Sequence, residues 1–225
     1  MANREPFGLD EWYHCYNRGI DKRIIFTDRD DYERFMKLLF VTNNEADMQL
    51  SDVSSRSFRD IVQSKRPRTL TSIGAYCLMP NHFHLLIKET NEGGISEFMR
   101  KLGIAYAMYF NIKNGRTGNL LARPFRSRHI AKDDYIQHVL SYIHCNPAEI
   151  FEQGWKKGNV KNLGALQKKL TSYPYSSLGI FAERKHPANA LLGKDIFDVA
   201  RHVSIGAMIR DSHAYYAEIE SSMSR

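Results

Sequence analysis

Hydrophobic positions along the chain recur at two spacings, one typical of strands and the other typical of helices. Strand-forming stretches cover residues 12–16, 71–79 and 82–88, and a shorter one ends at residue 130. Only Pro80 and Asn81 separate the second stretch from the third, which predicts a hairpin. Apolar residues three and four positions apart predict helices over about 31–43, 95–113 and 134–146.

The order of these elements indicates the fold class. Strand, helix, hairpin, helix, strand and helix favour an α+β domain of the ferredoxin-like or RRM-like type, with an antiparallel sheet and helices on one face. A chain of 225 residues is long enough for one such domain with additions. We expect a main domain over residues 8–180, with an insertion at about 45–70, and a C-terminal helical extension over 181–225.

Local signals predict how the helices begin and what the insertion contains. Asp30 or Asp31 is expected to cap the first helix, and Asp134 and Gln137 have the spacing of a capping box for the third. Residues 45–70 show little periodicity and carry a basic cluster at 65–68. We interpret this segment as an inserted loop, a candidate for mobility and for contact with nucleic acid.

Composition limits the class of protein. The content of 43% hydrophobic and 25% charged residues is that of an ordinary globular protein. The longest apolar runs are far shorter than the ~20 residues that span a bilayer, and the N-terminus lacks the apolar segment of a secretory signal, so a cytoplasmic location is expected. Three widely spaced cysteines, Cys15, Cys77 and Cys145, fit neither a disulfide framework nor a zinc site.

The net charge of the chain adds a candidate partner. Lysine and arginine number 32 against 25 acidic residues, which gives a formal net charge of +7. A positive balance favours a polyanion such as nucleic acid, because lysine and arginine replace the counterions of phosphate groups. An ordinary basic surface explains the same charge without a binding site, so the charge alone leaves the partner open.

A pair of histidines in the third predicted strand is a candidate for metal binding. His82 and His84 project from the same face of the strand, whereas Phe83 and Leu85 point to the other face. Neutral imidazole is a common metal ligand, and two imidazoles on one face are able to bind one ion. Such a pair also occurs on sheets without any function, and in isolation that is the simpler interpretation.

The third predicted helix carries a candidate nucleophile. Tyr142 and Asn146 are four residues apart and therefore lie on the same side of the helix. A tyrosine held near a phosphodiester is able to attack it and to keep the bond energy in a phosphotyrosine. A metal ion would stabilise the developing charge, with Asn146 as an oxygen ligand. Taken locally, Tyr142 is an ordinary helix aromatic and Asn146 a helix cap, and three other tyrosines qualify equally as nucleophiles: Tyr106, Tyr109 and Tyr135.

Five blocks of sequence, taken together and in order, resemble a known family. The blocks are Tyr13-His14-Cys15-Tyr16-Asn17-Arg18-Gly19, Met79-Pro80-Asn81-His82-Phe83-His84-Leu85-Leu86, Arg123-Pro124-Phe125-Arg126-Ser127-Arg128, Tyr142-Ile143-His144-Cys145-Asn146-Pro147 and Tyr173-Pro174-Tyr175-Ser176-Ser177. They resemble the single-tyrosine HUH transposases, and most closely the branch of REP-associated tyrosine transposases. The resemblance spans roughly residues 12–177.

The resemblance implies an activity and a role for each matching residue. Members of the family cleave single-stranded DNA near hairpins, with Mg²⁺ or Mn²⁺, and form a 5′-phosphotyrosine and a free 3′-OH. His82 and His84 match the metal-binding histidines, Tyr142 matches the nucleophile, and Asn146 matches the residue that completes the metal site. Two imidazole ligands favour Mn²⁺ over Mg²⁺. Relatives include monomers and dimers, so a homodimer remains open.

Basic residues next to these motifs are candidates for phosphate contacts. They are Arg18, Lys22, Arg23, Arg123, Arg126 and Arg128. For each of them, a solvated basic rim is an equally good interpretation. Two parts of the chain depart from the family pattern: residues 45–70 are longer than the connection in compact relatives, and the chain after about residue 180 has no counterpart.

The expected function is that of a transposase-like nuclease and strand transferase acting on hairpin-forming single-stranded DNA. A domesticated protein that binds a structured DNA repeat without cutting it is the alternative, although the intact histidine pair, Tyr142 and Asn146 argue against it. A single-stranded RNA binder with the same sheet topology is a third interpretation. It lacks the paired aromatic residues expected on the central strands of such proteins.

Overall fold

The computed structural model describes residues 6–46, 50–66, 68–157, 160–183, 186–201 and 203–212. Its centre is a four-stranded antiparallel sheet in the order β2-β3-β1-β4. The strands are β1 (Trp12–Arg18), β2 (Thr71–Met79), β3 (His82–Glu89) and β4 (Arg126–Ile130). The helices are α1 (Arg29–Val41), α2 (Leu50–Ser55), α3 (Phe58–Val62), α4 (Gly94–Lys113), α5 (Asp133–Cys145), α6 (Ala148–Phe151), α7 (Leu163–Thr171), α8 (Leu178–Ala182) and α9 (Ile196–Val199), and residues 205–212 are also helical.

Helices cover both faces of the sheet. α1 and α4 pack on one face, where Phe35, Phe83 and Phe98 belong to a large buried cluster. α5 packs on the opposite face, where Ile136 and Leu86 belong to a second cluster. The predicted α+β class and antiparallel sheet are confirmed. The expectation of helices on one face holds for α1 and α4 but is wrong for α5, because the apolar stripe of α5 covers the other side.

The predicted strands and the hairpin are present. Leu78 pairs with Phe83 across the β2–β3 hairpin, and Pro80 and Asn81 form its turn. β1 continues through Arg18, two residues beyond the predicted strand, and then turns at Gly19. A Cβ atom at Gly19 would lie 2.3 Å from the carbonyl oxygen of Arg23, so only glycine lets the chain turn this tightly.

The first helix begins earlier than expected. α1 is capped by Asp28, whose Oδ1 accepts a hydrogen bond of 3.1 Å from the backbone N–H of Asp31. The prediction of Asp30 or Asp31 as the cap was therefore wrong. Asp31 is instead buried, and its Oδ2 accepts hydrogen bonds from the backbone N–H and the hydroxyl of Thr27.

The capping box predicted for the third helix is also absent. α5 has Lys132 at the N-cap position, and no side chain caps this end of the helix. Asp134 accepts a hydrogen bond from the guanidinium of Arg201, and Gln137 accepts one from the backbone N–H of Arg201. A distant segment of the chain thus binds both side chains, and no local pattern could indicate that contact.

The inserted segment is more ordered than the sequence indicated. α2 and α3 both lie within residues 45–70, and Val53 and Ile61 are buried in the same cluster as α1 and α4. Ser57 and Asp60 form a capping box at the start of α3. The interpretation as a loop was therefore wrong for residues 50–55 and 58–62, whereas residues 47–49 and 67 lie outside the described residues.

The basic cluster of this segment is engaged with the protein. The guanidinium of Arg66 lies 4.3 Å from the centre of the Phe40 ring, and burial lowers the pKa of Arg66. Arg68 lies 3.3 Å from a carboxylate oxygen of Glu45. These contacts weaken the earlier interpretation of the cluster as a nucleic-acid contact, because Arg66 packs on the protein instead of projecting into solvent.

The described part of the predicted C-terminal extension packs on the same sheet as the main domain. Ile196 and Met208 are buried in the cluster under α5, and the backbone N–H of Gly193 donates a hydrogen bond of 2.9 Å to Ile73 in β2. Residues 196–199 and 205–212 are helical, as predicted for this extension, whereas residues 213–225 lie outside the described residues. The boundary near residue 180 stays a prediction.

Two expectations from composition can be compared with the structure. Cys15, Cys77 and Cys145 are buried and free of disulfides, as expected. Across the described ranges, none of the helices combines the length and the apolar character that crossing a membrane requires.

A partly buried ion pair joins α1 to α4 on the face of the sheet opposite α5, and Asp31 is its buried member. Nζ of Lys113 lies 2.7 Å from a carboxylate oxygen of Asp31 and 2.7 Å from one of Asp28. Burial raises the pKa of Asp31, but hydrogen bonds from Lys113, Thr27 and Tyr109 outweigh this effect and hold the pKa below its ordinary value. A carboxylate with a lowered pKa stabilises the fold above its ordinary pKa of about 4, and this contribution is lost as the pH falls.

We therefore predict that Lys113→Met lowers the free energy of unfolding at pH 7 by about 2 kcal/mol, between the values for exposed and for fully buried pairs. The deficit should shrink as the pH falls towards about 4, because protonation of Asp31 removes the unpaired buried charge. Urea titrations of both proteins at several pH values measure this effect. Arg100→Met removes an exposed ion pair with Glu97 on the same helix and should change stability by less than about 0.5 kcal/mol. An equal loss in both variants would contradict the account.

Candidate metal and tyrosine site

The pairing of β3 with β1 places the two histidines on the face that α5 covers. Phe83 and Leu85 point into the cluster on the opposite face, so the alternation of side chains turns His82 and His84 towards α5. In the register with β1, His84 lies opposite Tyr16 and His82 lies opposite Arg18. The ring centres of the two histidines are 4.9 Å apart.

His82 is oriented by the residue before it. Nδ1 of His82 lies 2.6 Å from Oδ1 of Asn81, and Nδ2 of Asn81 donates a hydrogen bond of 3.3 Å to the carbonyl of Lys22. Because an amide oxygen only accepts, Nδ1 of His82 carries the proton and Nε2 keeps its lone pair. Burial, together with Arg18 and Lys156, lowers the pKa of His82 to about 3, so the ring is neutral.

His84 lies deeper and has one nitrogen without a hydrogen bond. Its Nδ1 is 2.9 Å from Nε2 of His14, whereas its buried Nε2 has no hydrogen-bond partner among the described residues. Burial lowers the pKa of His84 well below its ordinary value, and the neighbouring His82 and His14 act in the same direction. An unpaired buried nitrogen in a neutral ring fits a metal ligand, since a cation would supply the missing partner.

The side chain of Tyr142 reaches the histidines from α5. The centre of its ring lies 5.2 Å from that of His84 and 5.4 Å from that of His14. The residue is only 5% exposed. Burial raises the pKa of the phenol above its ordinary value, while a hydrogen bond from Asn146 lowers it in part. The helix carrying Tyr142 and the strand carrying the histidines thus meet at this point.

Asn146 ends α5 and is buried beside Tyr142. Its Nδ2 donates a hydrogen bond of 2.9 Å to the backbone carbonyl of Tyr142, so the local interpretation as a helix cap is correct. No three side chains of His, Cys, Asp or Glu come together as a metal site in the part of the chain that the structure describes. Asn146 therefore stays a predicted third ligand beside His82 and His84.

The structure separates Tyr142 from the other tyrosines considered. Tyr106 and Tyr109 lie on α4, on the opposite face of the sheet, and donate hydrogen bonds to the carbonyl of Ile25 and to the carboxylate of Asp31, respectively. Tyr135 lies on α5 beside Arg128, whose guanidinium is 5.4 Å from the centre of the ring. The ring of Tyr142, in contrast, contacts those of His84 and His14.

Sequence reasoning missed three residues at this site. His14 and Tyr16 lie in β1 and project from the face of the sheet that carries the histidine pair. The ring centre of Tyr16 lies 5.7 Å from that of His84. Their alternate spacing in β1 was a usable signal once β1 was paired with β3. Lys156 lowers the pKa values of His82 and His84 through its charge, and it follows α5 in a segment without a recognisable pattern.

The predicted phosphate-binding residues gather at the His82 end of the sheet. In the register with β1, Arg126 lies opposite Tyr16 and Arg128 opposite His14, so both share the face of the histidines with Arg18. The other three lie in exposed loops at this end. Lys22 and Arg23 adjoin the β2–β3 turn, where Ile25 donates a backbone hydrogen bond of 2.8 Å to Pro80, and Arg123 follows Ala122, which donates one of 2.9 Å to Arg18.

Comparison with known proteins identifies the family of the chain. The family described as IS200-like transposases matches residues 30–146, just over half of the chain, and the protein belongs to this family. A solved structure of a REP-associated tyrosine transposase bound to a REP hairpin shares the fold, with a TM-score of 0.52 and 16% sequence identity. The alignment covers 91% of this chain and 99% of that one. No curated protein matches the chain.

The extent of this alignment corrects one expectation. Residues 181–225 make up a fifth of the chain, so an alignment over 91% of it must continue past residue 180. The statement that this region has no counterpart was therefore wrong for part of it. The family match also indicates a DNA-processing enzyme of the transposase type.

We predict that Arg18→Gln weakens binding of a DNA hairpin and reduces the salt dependence of binding by about one unit in the slope of log K against log salt, because one phosphate contact is lost. Fluorescence anisotropy at several salt concentrations measures both quantities. Arg100→Gln removes one positive charge from α4, on the opposite face, and should leave the slope unchanged. Identical slopes for wild type and Arg18→Gln would remove Arg18 from the interface.

Proposed function

We propose that this transposase-family protein is a metal-dependent endonuclease and strand transferase that acts on hairpin-forming single-stranded DNA through a phosphotyrosine at Tyr142. The observation that carries the proposal is the contact of the Tyr142 ring with His84, whose Nε2 is buried and unpaired within the described residues. A candidate nucleophile and a nitrogen atom suited to bind a cation therefore meet at one point on the sheet.

The substrate class is supported by charge and by the related structure. Arg18, Arg126 and Arg128 lie on the face that carries the histidines, which suits a phosphate backbone approaching Tyr142. The solved relative is described as bound to a REP hairpin. We infer that this chain also binds a DNA hairpin and that the scissile strand passes the His82 end of the sheet.

The proposed reaction exchanges one phosphate ester for another. The phenol oxygen of Tyr142 forms a bond to phosphorus while the bond from phosphorus to the 3′ oxygen breaks, and the phenol proton leaves to water. The departing 3′ oxygen takes up a proton and becomes a free 3′-OH, and the 5′ phosphate stays on Tyr142. Attack by a 3′-OH on this phosphotyrosine reverses the reaction and joins the strands without ATP.

The side chains of the site have separate tasks in this scheme. His82 and His84, with Asn146, would hold Mg²⁺ or Mn²⁺, which supplies Lewis-acid stabilisation of the charge on the phosphate oxygens. Burial keeps Tyr142 protonated at neutral pH, since its pKa lies above the ordinary value. The hydrogen bond from Asn146 stabilises the phenolate as the proton leaves, and the cleavage rate should therefore rise with pH.

One observation favours the alternative of a binding protein that does not cut. Tyr142 is 5% exposed and packs between α5 and the sheet, as a structural aromatic residue would. A domesticated protein would keep the basic face and bind the hairpin, while Tyr142 served only the packing of α5. The two functions differ in one measurable product, a covalent link between the protein and DNA.

We predict that Tyr142→Phe abolishes the covalent complex with a hairpin oligonucleotide in the presence of Mn²⁺, while hairpin binding stays within about threefold, because only the hydroxyl is lost. Denaturing gels detect the complex. Tyr16→Phe removes the neighbouring hydroxyl on the same face and should still give the complex, which a chelator should prevent. A complex that persists in Tyr142→Phe would disprove the assignment, and wild-type protein that binds without nicking would support the alternative.

A further inference from the structure

A third histidine lies next to the pair and has no role in the proposed reaction. His14 is fully buried in β1, and its Nε2 lies 2.9 Å from Nδ1 of His84. The two rings are 5.1 Å apart at an angle of 29°. We propose that His14 is a positioning residue that accepts a hydrogen bond from Nδ1 of His84 and thereby keeps the lone pair of His84 on Nε2, where a divalent cation can bind.

The proposal follows from the two arrangements that this hydrogen bond allows. A neutral imidazole carries one proton, on either Nδ1 or Nε2. If Nε2 of His14 donated the hydrogen bond, His84 would accept at Nδ1 and carry its own proton on Nε2, which could then not bind a metal ion. If His84 donates from Nδ1, its Nε2 is a ligand. The partner of one nitrogen therefore decides the availability of the other.

The surroundings of His14 suit an acceptor. His14 is fully buried, and its Nε2 lies within hydrogen-bond distance of Nδ1 of His84, so a lone pair on Nε2 of His14 would accept the hydrogen bond from His84. The centre of the His14 ring also lies 5.4 Å from that of Tyr142, in a T-shaped arrangement, and 5.1 Å from that of Tyr16. These two neighbouring rings pack the His14 ring against His84.

His82 is oriented by a hydrogen bond of the same kind, and here the direction of the hydrogen bond is fixed because the acceptor is an amide oxygen. The Oδ1 atom of Asn81 accepts from Nδ1 of His82 and so leaves Nε2 as the ligand atom. With His14 as the acceptor for His84, both histidines present Nε2 on the same face. One support comes from the β2–β3 turn and the other from the neighbouring strand, β1.

The inference rests on the proposed function in one respect: the divalent cation that His84 would bind is the one that the proposed cleavage reaction requires. Its first test uses metal-free protein labelled with ¹⁵N in histidine, where long-range ¹H–¹⁵N spectra identify the protonated nitrogen of each ring. We expect His84 to be protonated on Nδ1 in the wild type. In His14→Leu, protonation of Nε2 should increase, and the Kd for Mn²⁺, measured by calorimetry, should rise about 10- to 100-fold.

Two further variants separate positioning from packing. His14→Gln offers an oxygen near the position of Nε2 and should restore most of the Mn²⁺ affinity. His144→Leu is the matched control: His144 is equally buried in a neutral form, but it bonds to the hydroxyl of Ser177, at 2.8 Å, and not to His84. This variant should leave the tautomer of His84 and the Kd for Mn²⁺ unchanged.

The outcomes distinguish this inference from the proposed function. A wild-type spectrum with the proton of His84 on Nε2 would overturn the role of His14, and so would unchanged Mn²⁺ affinity in His14→Leu. The wild-type spectrum decides the question even where His14→Leu fails to fold. None of these readouts requires cleavage, so protein that binds Mn²⁺ as expected but forms no phosphotyrosine would overturn the function and leave the role of His14 intact.

Discussion

The antiparallel pairing of β1 with β3 is the constraint on which the site depends. In this register His84 lies opposite Tyr16, and His14 lies two residues further along β1 on the same face, close enough for a hydrogen bond of 2.9 Å to His84. A shift of one residue would turn the histidines to the opposite face and direct Phe83 towards α5. Hydrophobic burial therefore fixes the orientation of the histidines, because the large cluster under α1 and α4 determines which face of the sheet each side chain of β3 takes.

The face that carries the histidines is unusual because neutral polar rings are packed there with apolar side chains. His14 and His84 are buried, and the ring of Tyr142, which belongs to the apolar cluster under α5, contacts both of them. A buried nitrogen without a partner, such as Nε2 of His84, costs about 1–3 kcal/mol. The opposite face supplies the stability that permits this cost, through its aromatic cluster and the ion pair between α1 and Lys113. Binding of a cation at Nε2 would remove the penalty.

The regular elements of the fold could be predicted from the sequence because their signals are local. The alternation in 82–88 and the helical stripe in 95–113 depend only on neighbouring residues, and both predictions are confirmed. The cap predicted for α5 was wrong because the deciding partner lies elsewhere in the chain: Arg201 binds the side chains of Asp134 and Gln137. The cap predicted for α1 was wrong by two or three residues, because several aspartates adjoin the start of that helix and Asp28 takes the position. The segment at 45–70 was interpreted as a loop because α2 and α3 are too short to show a periodic pattern, and packing on α1 orders them.

The motifs of the site could be predicted from the sequence, but the residues that orient the two histidines could not. His82, His84 and Tyr142 come together as expected, whereas the neighbouring His14 became meaningful only once β1 was paired with β3. Long-range pairing of this kind depends on the whole sheet, and a single stretch of sequence does not encode it. Asn81 is an intermediate case, since it adjoins His82 in the chain but acts through a hydrogen bond that only the turn geometry reveals.

The central claim is that the histidine face beside Tyr142 holds a divalent cation. Anomalous diffraction from crystals grown with Mn²⁺ tests this claim most directly, because it locates the ion without reference to activity. We expect one strong peak within bonding distance of Nε2 of both His82 and His84, on the side of the sheet that α5 covers. A peak elsewhere on the protein, or a peak coordinated through Nδ1 of either histidine, would contradict this expectation.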